Sequence, residues 1–277
     1  GGHSANRILY HADTTGKEIA SRLFSRVRKL KNVHIRPYTS LVDILTDGKE
    51  CAGGVLRDER TGEIACVYAD YVILATGGVG GLYASSTNFP QLTGDGVAIC
   101  LKHGIAVRDL DYVQIHPTTL YTKRRGRRFL ISESVRGEGG VLLDGTGRRF
   151  TDELKPRDVV TAAIRGQMQK EGSECVWLDM RTIPPEELRV HFPAIVKRCL
   201  EEGYDPFSRP VPVVPAQHYF MGGIGSDPEG RTEMPRLFAV GETCCNGVHG
   251  KNRLASNSLL ESLLFARRAA LRIGNTY

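Results

Sequence analysis

The sequence predicts a mixed α/β (α+β) fold in which a lobe is inserted into a larger domain. Short apolar strands that end in glycine turns occur towards both ends of the chain, at residues 71–78 and 236–242. Between them, residues 158–215 combine helical segments, a strand and a proline-rich stretch, which is a different pattern. The 277 residues, 41% of them apolar, suffice for one large domain or two moderate ones.

The first part of the chain predicts a helix, a meander and a buried strand. Residues 15–31 carry apolar side chains at helical spacing and predict an amphipathic helix. Extended segments that predict a meander follow it at 33–36, 39–45, 51–57 and 64–68. The strand at 71–75 ends in Thr76-Gly77-Gly78, a pattern typical of a buried parallel strand whose end approaches a ligand. A second helix is expected over 97–103.

The second part of the chain predicts the inserted lobe and a final helix. The lobe is expected to contain helices over 158–170 and 185–202, a strand over 175–179 and a proline-rich linker over 206–215. After Leu259 the leucines recur at helical spacing, with Glu261 on the opposite face. Asn257 or Ser258 would cap this helix, so its first N–H groups would form an anion site.

Composition excludes several classes of protein. The net charge of +6 is concentrated at residues 123–128, but this stretch lacks interleaved aromatic residues and favours a solvated loop over nucleic-acid binding. No apolar run reaches the length of a membrane helix, and the start does not resemble a secretory signal, so a soluble, cytoplasmic protein is expected. The seven cysteines form no Cys-x-x-Cys pair, which favours reduced thiols.

Four basic side chains are candidates for a ligand site. His116, Arg157, His218 and Arg253 all lie in segments rich in turn-forming residues. Two imidazoles and two guanidiniums could clamp a dicarboxylate, because arginine pairs with a carboxylate through two parallel hydrogen bonds. The alternative is that each one is a structural residue. No metal site is predicted, since no two histidines or cysteines have the spacing of a local metal motif.

Seven motifs, in this order along the chain, resemble those of the flavoprotein family of succinate dehydrogenase, fumarate reductase and L-aspartate oxidase. They are Ala75-Thr76-Gly77-Gly78, Thr93-Gly94-Asp95-Gly96, Gln114-Ile115-His116-Pro117-Thr118, Arg136-Gly137-Glu138-Gly139-Gly140, Pro156-Arg157-Asp158, His218-Tyr219-Phe220-Met221-Gly222-Gly223 and His249-Gly250-Lys251-Asn252-Arg253. The segment 255–261 and the short connection from Arg136 to Arg157 are most similar to the L-aspartate oxidase branch.

The resemblance implies a partial Rossmann-like FAD-binding domain with an inserted α+β capping domain. Residues 1–109 and 218–277 would form the FAD-binding domain and residues 110–217 the capping domain. The implied activity is oxidation of L-aspartate to iminoaspartate by hydride transfer to FAD, with O2 or fumarate as electron acceptor. Quinolinate synthase would take the product into NAD biosynthesis. The alternatives are a soluble fumarate reductase or succinate dehydrogenase flavoprotein, and a non-catalytic dicarboxylate-binding protein.

The resemblance also implies roles for individual residues. His116, Ser132, His218 and Arg253 would hold the substrate carboxylates, Arg157 would transfer the proton, and Arg136 would support the site. FAD would be contacted by Ser40, Ala75, Thr76, Gly77, Asp95, Glu242, Ser258 and Leu259.

The chain departs from the family pattern in several places. Ser132 stands where threonine is usual, and Lys251 stands where alanine is usual. The Gly-x-Gly-x-x-Gly motif that cradles the FAD pyrophosphate does not occur in these 277 residues, and neither does the helical C-terminal domain of the family. Without that cradle, we expect the 277-residue chain on its own to bind FAD weakly or not at all.

Overall fold

The computed structural model describes residue 5 and residues 7–124 and 126–275. Within this part the helices are α1 (Thr15–Val27), α2 (Asp95–Lys102), α3 (Glu133–Gly137), α4 (Arg157–Glu171), α5 (Pro185–His191), α6 (Pro193–Glu201) and α7 (Asn257–Gly274). The strands are β1 (Thr39–Asp47), β2 (Glu50–Asp58), β3 (Ile64–Tyr68), β4 (Val72–Leu74), β5 (Val107–Arg108), β6 (Val113–Leu120), β7 (Val141–Leu143), β8 (Val176–Asp179), β9 (Val211–Phe220), β10 (Gly223–Gly225), β11 (Leu237–Ala239) and β12 (Cys244–Cys245). This is the mixed α/β composition that the sequence predicts.

The chain divides into two compact units. The first unit comprises the described residues within 1–22, 80–91 and 114–218, and the second unit comprises the rest. The predicted domain boundaries at 109/110 and 217/218 lie near the unit boundaries at 113/114 and 218/219. Two stretches of the predicted FAD-binding part, the described residues within 1–22 and residues 80–91, however, group with the first unit. That one part binds FAD and the other caps the site stays a prediction.

The first unit is built on a four-stranded sheet in the order β6-β9-β8-β7. β8 pairs antiparallel with both β7 and β9, and its apolar side chains enter a core to which α4, α5 and α6 contribute. The predicted linker over 206–215 is wrong, since β9 begins at Val211 and carries Pro212 and Pro215. Val211 and Val213 are fully buried opposite β8, so core packing outweighs the usual exclusion of proline from strands.

The predicted helix over 185–202 is two helices. α5 ends at His191 and α6 begins at Pro193. Proline removes a backbone donor and keeps the preceding residue out of the α region, and Phe192 has φ −129° and ψ 47°. The carboxylate of Asp13 accepts hydrogen bonds from the N–H groups of Ala194 at 2.8 Å and Ile195 at 3.0 Å, which caps α6.

The second unit contains the predicted meander and the glycine-terminated strands. β1, β2 and β3 form an antiparallel sheet in sequence order. The strand expected over 33–36 is absent, because no strand of the described chain pairs with this exposed segment. β4 and β11 pair in parallel, with Leu74 opposite Ala239 in the core, and β12, β10 and β5 form a third sheet.

α7 buries the face opposite to the one that its sequence pattern predicts. Glu261, Phe265 and Ala269 are buried at a spacing of four residues. The apolar pattern marks the side chains that favour burial, but it does not say which face its neighbours cover. The leucines of α7 with exposed surface are Leu259, Leu260, Leu263, Leu264 and Leu271.

The start of α7 also differs from the prediction. Ser256 occupies the N-cap position with φ +68° and makes no capping side-chain hydrogen bond. Neither Asn257 nor Ser258 is the cap, because the helix begins at Asn257 and the Ser258 hydroxyl instead accepts a hydrogen bond from Arg253 at 3.2 Å. The side chain of Ser256 therefore does not cap the first backbone N–H groups of α7.

Candidate functional site

His116 lies at the centre of the candidate site in the first unit. It is on β6 and is completely buried. Its Nδ1 faces the N–H of Thr118 at 3.2 Å and the carbonyl of the same residue at 3.1 Å, so the backbone accommodates either neutral tautomer. Its Nε2 has no hydrogen-bond partner among the described residues. A buried polar atom without a partner points to a ligand.

His116 is neutral at pH 7. Burial lowers its pKa well below 6.5, and the positive charges of Arg157 and Arg136 lower it further. Its ring lies edge-on to the ring of His218, with the ring centres 5.2 Å apart. The structure thus brings two predicted site residues together, from segments about one hundred residues apart in the sequence.

Arg157 is held by a carboxylate and an amide. It is the first residue of α4 and is 9% exposed. Its Nε donates to Glu133 at 2.7 Å, and one terminal nitrogen donates to the side-chain oxygen of Gln114, also at 2.7 Å. Gln114 is two residues before His116 on β6, so both side chains project from the same face of the strand. These contacts fix the guanidinium beside His116.

Arg136 and Ser132 belong to the short helix α3. The Ser132 hydroxyl accepts a hydrogen bond from the N–H of Ser134 at 3.2 Å and so caps α3. Arg136 is 3% exposed, donates to the carbonyl of Glu153 and lies 4.0 Å from the Glu133 carboxylate. Burial lowers the pKa of Arg136. The buried Glu153 carboxylate also acts on Arg136 and is itself paired with Arg149 at 2.6 Å. Three guanidiniums against two carboxylates leave one excess positive charge, which suits an anionic ligand.

Sequence reasoning missed Glu133 and Gln114. Glu133 is the first residue of α3 and meets Arg157 across 24 positions of sequence. A signal was available: Glu133 precedes Arg136 by three residues, which places both on one helical face, and Gln114 shares its strand face with His116. The partner of Glu133 could not be read from that spacing.

Arg253 lies in the second unit and is 5% exposed. Its guanidinium stacks 4.4 Å from the centre of the Tyr219 ring, and it donates to the Ser258 hydroxyl. The ring of His249 packs edge-on against the same tyrosine at 5.4 Å. Burial, together with the charge of Arg253, lowers the pKa of His249 to about 4. This cluster fixes Arg253 beside the start of α7.

The glycine turns after β4 and β11 meet in the second unit. The Thr76 hydroxyl lies 2.8 Å from the Thr243 hydroxyl. A Cβ on Gly78 would lie 2.4 Å from the carboxylate of Glu242, so a side chain at this position would displace Glu242. The Glu242 carboxylate accepts a hydrogen bond from the N–H of Phe220 at 2.9 Å, and burial raises the pKa of Glu242 to about 7.

The remaining predicted cofactor residues occupy separate elements of the second unit. Asp95 is the first residue of α2, whose N-cap position is Gly94 in the left-handed conformation with φ +79°. Asp95 accepts a hydrogen bond from the Thr93 hydroxyl at 2.7 Å. Ser40 lies on β1, and its side chain forms a hydrogen bond with the side chain of Glu59. Leu259, on α7, is 38% exposed.

The backbone N–H donors of the second unit suit a dinucleotide. α2 and α7 both begin without a capping side chain, so their N-terminal N–H groups can face phosphate or another anionic group. Among the described residues, no group of three or more His, Cys, Asp or Glu side chains is placed to hold a metal ion, and none of the helices there is long and apolar enough to cross a membrane.

The family model that matches the chain is the FAD binding domain, over residues 1–259. L-aspartate oxidase of Clostridium perfringens (strain 13 / Type A) is 50% identical and L-aspartate oxidase of Clostridium acetobutylicum 46% identical, each over 100% of this chain and 63% of the relative. The chain therefore spans about three fifths of these relatives. An E. coli quinol fumarate reductase superposes with a TM-score of 0.88 at 34% identity, over 97% of this chain and 49% of the other. A quinol-fumarate reductase with menaquinol molecules superposes with a TM-score of 0.90 at 34% identity, over 98% and 51%.

Proposed function

Because the chain belongs to the FAD binding domain family, we propose that the complete protein is an FAD-dependent L-aspartate oxidase that converts L-aspartate to iminoaspartate. Family membership confirms the resemblance found in the sequence motifs, and with it the α/β fold class and FAD as the cofactor. The substrate rests on the curated relatives, since those with 40–50% identity carry the name L-aspartate oxidase.

The observation that carries the proposal is the buried cationic cluster of the first unit. Arg157 and Arg136 flank the carboxylate of Glu133, and the neutral His116 beside them has a ring nitrogen without a partner in the described chain. Such a cluster is costly unless an anion completes it. A dicarboxylate supplies that charge, and its oxygens can accept from imidazole and guanidinium groups.

In this proposal the histidines and Arg253 bind the substrate carboxylates. His116 and His218 each offer a ring nitrogen for a carboxylate oxygen, and Arg253 offers a planar guanidinium fork. Ser132 keeps the hydroxyl of the usual threonine and caps α3, which sets the position of Glu133 and Arg136. Arg136 supports the site through its contact with Glu133.

Arg157 acts as a proton donor and a source of positive charge. Deprotonating an arginine near pH 7 would cost about 7 kcal/mol at about 1.36 kcal/mol per pH unit, so a role as base is unfavourable. When fumarate is reduced, Arg157 protonates carbon and takes a proton back from solvent, which restores its charge. When aspartate is oxidised, the hydride leaves Cα and the amino group releases a proton to solvent as the C=N bond forms, while Arg157 supplies positive charge beside the substrate carboxylates. Glu133 and Gln114 hold the guanidinium in place for both tasks.

FAD, when bound, supplies the acceptor for the hydride that leaves Cα of aspartate. Glu242 would bind a ribose hydroxyl. The backbone around Thr76 and Gly77 and the start of α2 at Asp95 would approach the dinucleotide, together with Ser40. The start of α7, with Ser258 and Leu259, would face the flavin, where the helix dipole stabilises negative charge on the reduced ring.

The test is reduction of the flavin by substrate. The complete protein is purified with FAD and mixed without oxygen with L-aspartate or with succinate. We expect L-aspartate to bleach the flavin absorbance, and O2 or fumarate to restore it. Bleaching by succinate alone would instead favour the fumarate reductase alternative, to which the structural similarity to quinol fumarate reductases points. A protein that binds dicarboxylates but never carries flavin would favour the non-catalytic alternative.

The product suggests the cellular setting. Iminoaspartate is unstable in water, so an enzyme that consumes it must act promptly. We propose quinolinate synthase as that pathway partner, in the cytoplasm and in the quinolinate route to NAD.

A further inference from the structure

We infer that Thr87 is a positioning residue that fixes the tautomer and the ring orientation of His218. The Thr87 hydroxyl lies 2.8 Å from His218 Nδ1, and Thr87 is 4% exposed. Neither the sequence motifs nor the proposed mechanism includes Thr87. The inference rests on the proposed function to the extent that His218 binds a substrate carboxylate.

The backbone around Thr87 is held directly against β9. The N–H of Thr87 donates to the carbonyl of Gln217 at 2.9 Å, and the N–H of Gln217 donates to the carbonyl of Ser85 at 2.9 Å. Ser86 pairs with Gln217 in a parallel bridge, and its hydroxyl donates to the Gln217 side-chain oxygen at 2.6 Å. Since His218 is the next residue on β9, the Thr87 side chain has a fixed position relative to the imidazole.

Arginines of the basic stretch 123–128 also contact the segment that contains Thr87. Arg127 donates through Nε to the carbonyl of Thr87, and its guanidinium lies 4.4 Å from the centre of the Phe89 ring. The N–H of Arg128 donates to the carbonyl of Ser86 at 2.7 Å. The part of residues 123–128 that the structure describes, which excludes Arg125, is therefore more than a solvated loop. It ties down the residue that contacts His218.

A hydroxyl at this position suits both charge states of the imidazole. When His218 is neutral, the Thr87 hydroxyl donates to Nδ1, so the ring proton lies on Nε2. The alternative acceptor for the Thr87 hydroxyl proton, the Gln217 carbonyl, lies at 3.4 Å, so the 2.8 Å contact with Nδ1 is the better hydrogen bond and favours the Nε2–H tautomer of the neutral ring. When His218 is protonated, Nδ1–H donates to Thr87. In both states Nε2–H is kept as a donor, which is what binding of a carboxylate oxygen requires.

The tautomer of His218 is the direct test. The complete protein with FAD bound is labelled with ¹⁵N-histidine, and the His218 signals are assigned by their loss in His218→Gln. We expect the neutral ring to carry its proton on Nε2. Thr87→Val should remove this preference and lower kcat/KM for L-aspartate roughly 10–100-fold, by analogy with the loss of a partner that orients a metal-bound histidine.

Matched variants separate positioning from general disruption. Thr87→Ser keeps the hydroxyl, so it should keep the tautomer and stay within about threefold of wild-type kcat/KM. Ser86→Ala removes the neighbouring hydroxyl, which contacts Gln217 and not His218, and should also leave the tautomer unchanged. If Thr87→Val does not fold, the wild-type tautomer and Thr87→Ser decide the question.

Two results would overturn the inference. One is a neutral wild-type His218 that carries its proton on Nδ1. The other is a Thr87→Val protein with the same His218 signals and kcat/KM as Ser86→Ala. A protein with the Nε2–H tautomer but no turnover of L-aspartate refutes the proposed function while it supports the role of Thr87, so the two failures are distinguishable.

Discussion

Glu133→Gln removes the negative charge from the cationic cluster of the first unit. The Glu133 carboxylate is 18% exposed and lies 2.7 Å from Arg157 and 4.0 Å from Arg136. Burial alone would raise the pKa of Glu133, but the charge and hydrogen bond of Arg157, with smaller contributions that include the charge of Arg136, outweigh burial and lower the pKa from 4.5 to about 2. At about 1.36 kcal/mol per pH unit, this lowering corresponds to about 3 kcal/mol of stability at pH 7.

We expect Glu133→Gln to lower the free energy of unfolding by about that amount at pH 7, since loss of one partner from a buried ion pair costs about 3–5 kcal/mol. The effect depends on pH with a definite sign. A lowered pKa stabilises the folded state fully above pH 4.5, and this stability is lost as the pH falls towards 2. Glutamine does not titrate, so the difference between wild type and variant should shrink below pH 4.5.

Urea unfolding followed by circular dichroism, at pH 7 and pH 3, measures both quantities. Glu138→Gln is the matched control, because Glu138 follows the same helix and forms a partly exposed ion pair with His191 at 2.8 Å. A pair of that kind contributes about 0–1 kcal/mol. The reasoning is refuted if Glu133→Gln destabilises no more than the control, or equally at pH 7 and pH 3.

Four further predictions follow from particular contacts. Arg157→Leu should abolish fumarate reduction more completely than aspartate oxidation in steady-state assays, and equal losses would contradict the separate roles. Leu178→Ala, at a fully buried position of the first unit, should lower stability by about 3–5 kcal/mol in urea unfolding. Gly78→Ala should weaken FAD binding in fluorescence titrations, because its Cβ would displace Glu242. Half-buried His249 has a pKa lowered from 6.5 to about 4, so it costs stability as the pH falls below 6.5, and His249→Gln should reduce acid sensitivity between pH 6.5 and 4.

Local pattern was sufficient for much of the fold. The meander β1-β2-β3 and the helix α4 follow from alternation, turn residues and helical spacing, which act over a few positions. The failures depend on tertiary contacts. The prolines of β9 made this strand resemble a linker. In α7 the leucine-rich face was predicted to be buried but is exposed, since burial is decided by neighbours that are distant in the sequence.

The sequence motifs likewise identified only some residues of the candidate site. His116, His218 and Arg157 were identified from their motifs, and the structure places them in one unit. Glu133 was missed, because nothing local to it reveals that a guanidinium 24 residues later will meet its carboxylate. Motif resemblance finds the groups that a ligand would touch more readily than the groups that hold them.

Pro212 of β9 affects the register in which β9 pairs with β8. Val211 and Val213 face β8, whereas the carbonyl of Pro212 turns the other way and accepts the N–H of Tyr121 at 2.9 Å. If β9 slipped by one residue, Pro212 would face β8 at a position where the ladder needs an N–H, which proline lacks. Pro212, which looks like an obstacle to a strand, therefore penalises a one-residue shift of β9 and favours the alignment that places His218 beside His116.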